Sequence, residues 1–325
     1  MIAWLVYGSL EQRTGGTIYD RLVIEGLRER GAAIDVIDPA RLGAAATVRR
    51  LASTRLVIGD ELCFRELAFV FPRLAGARRV LLVHHLTCWE EERSPRERLR
   101  ARAGEARALR AASAVVTTSQ ATRARLEREG APERRIEVVR PGSDRLPVAG
   151  PAARGSATRF LFLGAVTARK RVRELVKALP PGAELRVVGS ITRDGGYADA
   201  VRALGGAVTF LGEVDDPTVA LELAAVDALV MPSSLEGYGI AATEAIAAGL
   251  PVIAARTPGL EEALAPCPDA ALFVNAGPDS SALASALHRF STDATLRARM
   301  RAAAATATLP SWADTVTRFA SIIGS

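Results

Sequence analysis

The strongest constraint in this sequence is a rhythm. Short β-branched or apolar runs alternate with longer stretches of helical periodicity along the whole chain, and the runs fall into two sets of about six. The first set is "IAWLVY", "AIDVID", "RLVIG", "RVLLVHH", "AVVTTS" and "IEVVRP"; the second is "RFLFLG", "ELRVVG", "AVTFLG", "ALVMP", "PVIAA" and "ALFV". A strand followed by a helix, repeated at this spacing, forms a parallel sheet covered by helices on both faces. Two such sets predict an α/β protein of two Rossmann-like domains. The seam falls in "PGSDRLPVAGPAARGSATRF", residues 141–160, which is rich in Pro, Gly, Ser and Ala and has neither period. The expected division is therefore residues 1–150, residues 151–308 and a final helix over 309–325. That helix carries Trp312, Val316, Phe319 and Ile323 at helical spacing and is expected to pack back toward the N-terminal domain. Ligands of parallel sheets bind at the carboxyl ends of the strands, so two facing sheets predict a working site in a cleft between them.

Composition narrows the function classes. No apolar run approaches the roughly 20 residues of a membrane span, and the first strand is too short and wrongly flanked for a signal peptide. Cys63, Cys88 and Cys267 are scattered, with no disulfide framework and no zinc spacing. These features predict a cytoplasmic protein. The net charge of +6 comes from 42 basic residues, all arginine except Lys170 and Lys177. They are interspersed with acids and accompanied by few aromatics, which argues against a nucleic-acid surface. A basic helix over residues 94–112 offers only Leu99 and Leu109 as large apolar side chains, too few to anchor on lipid, so a solvated face is favoured over peripheral membrane contact. The sequence leaves the oligomeric state open.

Four segments carry chemistry. In "SSLEGYGIAATEAIAAG", Gly237 and Gly239 flank Tyr238 in a tight turn, which glycine permits by tolerating positive φ, and a helix starts near Ile240. Its N-terminus, with free N–H groups and partial positive charge, is a seat for phosphate. Glu236 stands just ahead of that seat; Glu244, about one turn in, can accept hydrogen bonds from a ribose diol. Phosphate between two carboxylates, with sugar on one side and ribose on the other, describes a sugar nucleotide. In "FLFLGAVTARKRVRELVKAL" a strand ends at Gly164, and Arg169 and Lys170 open a helix as two cations fit to neutralise a diphosphate. In "YGSLEQRTGGTIYD" the loop glycines Gly15 and Gly16 precede a helix from about Thr17, placed like a phosphate loop but matching neither nucleotide fingerprint. In "LLVHHLTCWEE" His84 and His85 end a strand; neighbours point to opposite faces, so one enters the site, and His84 is favoured over His85.

The run Glu236-Gly-Tyr-Gly-Ile240 with Glu244, approached through "VTFLGEVDD" and "AAVDALVMPSS", resembles the signature of retaining glycosyltransferases of family 4, which have the GT-B fold. "FLGAVTARK", "VVTTSQATRARL" and "VVRPGSD" are similar to other stretches of that family, so the resemblance covers nearly the whole chain. It implies a nucleotide-sugar donor held mainly by the C-terminal domain and an acceptor held mainly by the N-terminal one. It further implies that Glu244 binds the ribose, Glu236 lies near the donor sugar, Lys170 meets the diphosphate and Gly16 lies over it. Two positions depart from the family pattern: Ala165 stands where an arginine is common, with Arg169 as its substitute, and Ala241 stands where proline is common.

No Asp-x-Asp triplet occurs, so the expected reaction needs neither metal nor cofactor: the sugar leaves a nucleoside diphosphate for an acceptor hydroxyl with retention of configuration. Lys170, Arg169 and the helix start near Ile240 would meet the leaving charge. A nucleotide-sugar epimerase of the same fold and a non-catalytic sugar-nucleotide binder are the rival readings. Donor base (uridine, guanosine or adenosine), acceptor class and any covalent role of Glu236 stay open at the level of sequence.

Overall fold

The computed structural model describes residues 1–131, 136–147, 157–275, 277 and 279–324. The chain divides into two compact units. One comprises residues 1–12, 16–141 and 312–325; the other comprises residues 13–15 and 142–311.

The first unit is built on a six-stranded, wholly parallel sheet of β1 (Ile2–Leu5), β2 (Ile34–Ile37), β3 (Leu56–Asp60), β4 (Arg78–Val83), β5 (Ala114–Thr117) and β6 (Ile136–Val138). Their order is β2-β1-β3-β4-β5-β6, so the winding reverses between β1 and β3. All four residues of β1 are buried, as expected of a central strand covered on both faces. The helix Trp312–Ile323 helps to cover it: Phe319 stacks on Trp4 with ring centroids 5.2 Å apart, and Trp312 meets Tyr19 edge-on at 5.8 Å. Aromatic pairs of this kind add about 0.5–1.5 kcal/mol beyond their buried area. The same helix donates the Thr315 hydroxyl to the Arg140 carbonyl at 2.8 Å.

The second unit repeats the plan with β7 (Arg159–Leu163), β8 (Glu184–Val188), β9 (Val208–Gly212), β10 (Ala228–Met231), β11 (Val252–Ala255) and β12 (Ala271–Val274). Here the order is β12-β11-β10-β7-β8-β9, again all parallel, with the reversal between β7 and β10. Side chains alternate across the sheet. Phe160, Phe162, Ala228, Val230 and Ile253 face one apolar layer, while Leu161, Leu229, Val252 and Ala254 face the other. Among the described residues no helix is long and apolar enough to cross a membrane.

Two boundaries differ from the sequence expectation. The first helix begins at Gly15 rather than after the glycine pair, so Gly15 and Gly16 form its opening turn. Lys170 ends a 3-10 turn, Ala168–Lys170, instead of starting a helix; Arg171 adopts a left-handed conformation (φ 52°), which breaks the run before the helix Val172–Ala178.

Candidate active site

In open parallel sheets a ligand sits beyond the carboxyl ends of the strands where the winding reverses. In the second unit that point lies between β7 and β10, and the loops leaving these two strands carry Lys170 and Glu236. Lys170 Nζ and Glu236 Oε1 are 2.5 Å apart, with side chains only 14% and 9% exposed. Arg169 stands on the other carboxylate oxygen, Nη1 to Oε2 3.8 Å, and donates from Nη1 to the Leu235 carbonyl. Burial alone would push the Glu236 carboxyl up; Lys170 first and Arg169 second overcome that and bring its pKa down to about 2. Glu236 is therefore an anion at any working pH. An ammonium has three donors, more than its bond to Glu236 uses.

The turn after Glu236 is shaped by close packing. Of its two glycines only Gly239 has a positive φ, 111°, and it caps the helix Ile240–Ala247 without any side-chain hydrogen bond. Gly237 does not have the positive φ expected from the sequence; the left-handed step at Gly239 is enough to close the turn. Tyr238 and Ile240 are buried. The turn rests on the helix Pro258–Leu264, capped by Thr257, where a Cβ on Gly259 would lie 2.3 Å from the Glu236 carbonyl oxygen. Gly259 is thus required for Glu236 to sit where it does. With no side chain capping it, the start of the helix Ile240–Ala247 is open to an anion.

Glu244 lies on the same helix, 3% exposed, and is gripped by Arg145. Arg145 Nε donates to Oε1 at 2.7 Å and Nη2 to Oε2 at 3.0 Å, while its Nη1 stands 2.6 Å from Asp216 Oδ1. Burial raises the Glu244 pKa, opposed by the Arg145 hydrogen bonds and charge.

The predicted residues of the first unit gather at its own reversal point. His84 follows β4, and its ring packs on Gly16: a Cβ there would lie 3.1 Å from His84 Cδ2. Around it are three buried carboxyls that the sequence reading missed. Asp20 Oδ1 lies 3.8 Å from His84 Nε2, Glu61 accepts the His84 backbone N–H at 2.9 Å, and Asp60 ends β3. Burial raises Asp20 and Asp60 each to about 7 and Glu61 well above its usual value, and burial lowers His84 despite Asp60. Asp20, Asp60 and His84 bring one ligand atom each within 4.8 Å of the others, the one grouping among the described residues able to chelate a metal ion. Two carboxylates and an imidazole suit a divalent cation chemically. His85 diverges from His84, its Nε2 lying 3.0 Å from Glu90 Oε1.

Comparison with known proteins bears on both units. Residues 63–145 match the family described as Glycosyltransferase Family 4, and residues 150–307 match Glycosyl transferases group 1. D-inositol 3-phosphate glycosyltransferase of Nocardiopsis dassonvillei is 30% identical over 244 residues, which are 66% of this chain and 55% of that protein. Glycogen synthase of Mycobacterium tuberculosis is 33% identical over 139 residues, 40% of this chain and 34% of that protein. The chain thus spans roughly a third to a half of the length of these curated relatives. Among solved structures, sucrose-phosphate synthase from Thermosynechococcus elongatus superposes with a TM-score of 0.82 at 22% identity, covering 99% of this chain and 97% of that one. HepE of Anabaena, solved with UDP-glucose, superposes with a TM-score of 0.78 at 19% identity, covering 99% of each chain.

Proposed function

The chain belongs to the glycosyltransferases of family 4, with the two parallel six-stranded sheets of the GT-B fold, and from that premise we propose that it moves a sugar from a nucleoside-diphosphate sugar to an acceptor hydroxyl. The observation that carries this reading is the Lys170–Glu236 pair, 2.5 Å apart, at the winding reversal of the second sheet and beside an uncapped helix start. The diphosphate binds at that helix start, with Lys170 and Arg169 meeting its charge. The backbone and side chains from Gly237 to Ile240 belong to the same donor-binding set. The ribose hydroxyls bond to Glu244. UDP comes first among the candidate nucleotides because HepE of Anabaena was solved with UDP-glucose.

The transfer proceeds with retention. The bond between the anomeric carbon and the diphosphate oxygen breaks, and the acceptor oxygen bonds to that carbon from the same face. The acceptor proton passes to the departing phosphate. Glu236, ionised, supports the positive charge that grows on the sugar, and Lys170 with Arg169 stabilises the leaving diphosphate; preorganised charges of this kind are usually the largest catalytic contribution. In the first unit, neutral His84 is suited to hydrogen-bond a hydroxyl group. The leaving charge is met by these cations and by backbone N–H groups rather than by a bridging metal, a reading supported by the clustering of Lys170 and Arg169 on Glu236.

Thermal midpoints measured with UDP, GDP and ADP test the donor site, because a ligand that binds only the folded state raises the midpoint by mass action. One nucleotide is expected to raise it, and Glu244→Gln to abolish most of the rise. No rise with any of the three would overturn the reading. Mass spectrometry of products, with NMR of the new anomeric centre, then separates a retaining transferase from an epimerase or a silent binder.

A further inference from the structure

We propose that Arg145 is the positioning residue of the nucleotide site, holding the Glu244 carboxylate so that one lone pair on each oxygen stays available to the two ribose hydroxyls. The inference rests on the reading that Glu244 receives the ribose. It goes beyond that reading because it gives a task to a residue in the stretch between the two sheets, where neither a helix nor a strand places it.

Arg145 fastens Glu244 by a fork: Nε to Oε1 at 2.7 Å and Nη2 to Oε2 at 3.0 Å. The two side chains are 6% and 2% exposed, so this is a desolvated pair and not a surface contact. The third nitrogen, Nη1, stands 2.6 Å from Asp216 Oδ1, at the start of the helix Asp216–Ala225. A planar guanidinium held along two edges cannot swivel, and neither can the carboxylate it grips. An ionised carboxylate accepts about four hydrogen bonds and the fork takes two, which leaves one acceptor position on each oxygen. Two vicinal hydroxyls, as in a ribose diol, match two neighbouring acceptors. Charge matters as well. Burial pushes the Glu244 pKa up, and the Arg145 hydrogen bonds oppose that push, so the fork also favours the anionic, acceptor-only form. A lysine would supply the charge without the fork.

This assigns a signature that a merely structural arginine would lack: Arg145 should matter for a ribonucleotide and much less for its 2′-deoxy counterpart. The test is isothermal titration of the full chain with whichever of UDP, GDP and ADP the wild type binds, and with the matching 2′-deoxynucleotide. Wild type, Arg145→Lys, Arg145→Met and Glu244→Gln are compared. Losing a hydrogen-bonded alignment to a charged group corresponds to a roughly tenfold to hundredfold weaker ribonucleotide affinity. That loss is expected in Arg145→Met and, in smaller measure, in Arg145→Lys, while affinity for the 2′-deoxynucleotide changes little in both. If Arg145→Met leaves Glu244 buried without a partner and fails to fold, Arg145→Lys, which keeps the charge, carries the test alone. Equal weakening for both nucleotides would reduce Arg145 to a structural role, and tighter binding in Arg145→Met would make the guanidinium a competitor; either result overturns the proposal. A wild type and Glu244→Gln that discriminate ribo from deoxy equally would instead overturn the assignment of ribose to Glu244, a failure separable from that of Arg145.

Discussion

The two units place carboxylates at equivalent points, the winding reversals of their sheets, yet neutralise them by opposite means. In the second unit Glu236 and Glu244 each have a cation in contact: Lys170 on Glu236, Arg145 on Glu244. In the first, Asp20, Asp60 and Glu61 crowd around His84, whose own pKa burial lowers, so protons take the place of cations. Fixed ion pairs suit a surface that must meet a constant negative charge, such as that of the diphosphate in the proposed donor. A proton-holding cluster suits a neutral histidine that offers a hydrogen bond. Two parallel sheets, each with one winding reversal, thus present charge on one unit and a titratable, near-neutral group on the other.

The largest expected effect comes from breaking the ion pair. Lys170→Ala removes the cation proposed to meet the diphosphate and leaves the buried Glu236 to the more distant Arg169, 3.8 Å away. Loss of one preorganised charge-stabilising group lowers turnover by roughly 10²–10³-fold. Glu236→Gln should lose activity while keeping its shape, and the double variant should be no worse than Lys170→Ala alone if the two act as a unit. Turnover by product mass spectrometry decides; additive losses in the double variant would show that the pair is not one device.

A smaller effect should follow from crowding the turn. In Gly259→Ala the new methyl carbon meets the Glu236 carbonyl at 2.3 Å, a backbone atom that cannot step aside as a side-chain tip can. Overpacking costs typically about 1–3 kcal/mol, and the thermal midpoint of Gly259→Ala should fall by several degrees. Donor affinity should fall with it. A midpoint and affinity equal to wild type would mean that the turn is not pinned by the helix Pro258–Leu264.

The sequence displayed this comparison unevenly. The alternation of strands and helices was legible because a central parallel strand must be apolar on both faces, as β1 and β10 are. Glu236 and Glu244 stood out because they interrupt a nearly uncharged stretch, and Lys170 because lysine occurs only twice in the chain. Arg145 had no such contrast: it is one of 40 arginines, and its partner Glu244 is 99 positions away. Gly259 carries no signal of its own in the sequence, since only the fold brings it against the Glu236 backbone. Asp20 sits in a helix, Asp60 ends β3, Glu61 follows it and His84 follows β4, so their meeting depends on sheet order, which periodicity does not encode. Gly237 shows the opposite limit: its identity suggested a special backbone conformation that the turn places only at Gly239.

The gentlest prediction separates the two units by pH. Glu236 has a folded pKa of about 2, below the usual 4.5, so its stabilising contribution is complete above that ordinary value and fades as pH falls toward 2. Asp20 behaves the other way. Its folded pKa of about 7 exceeds the usual 3.8, so between those values the folded state holds the proton more firmly than the unfolded chain does. Stability from this group therefore declines as pH rises from about 4 to about 7 and is flat beyond. Asp20→Asn keeps the neutral shape at every pH. Near pH 4 its thermal midpoint should match wild type; at pH 8 it should be higher, because wild type must then bury an anion among like charges. A midpoint lower than wild type at pH 8 would mean that the Asp20 carboxylate has a cation or metal partner there, and the contrast between a proton-held and a cation-held unit would collapse.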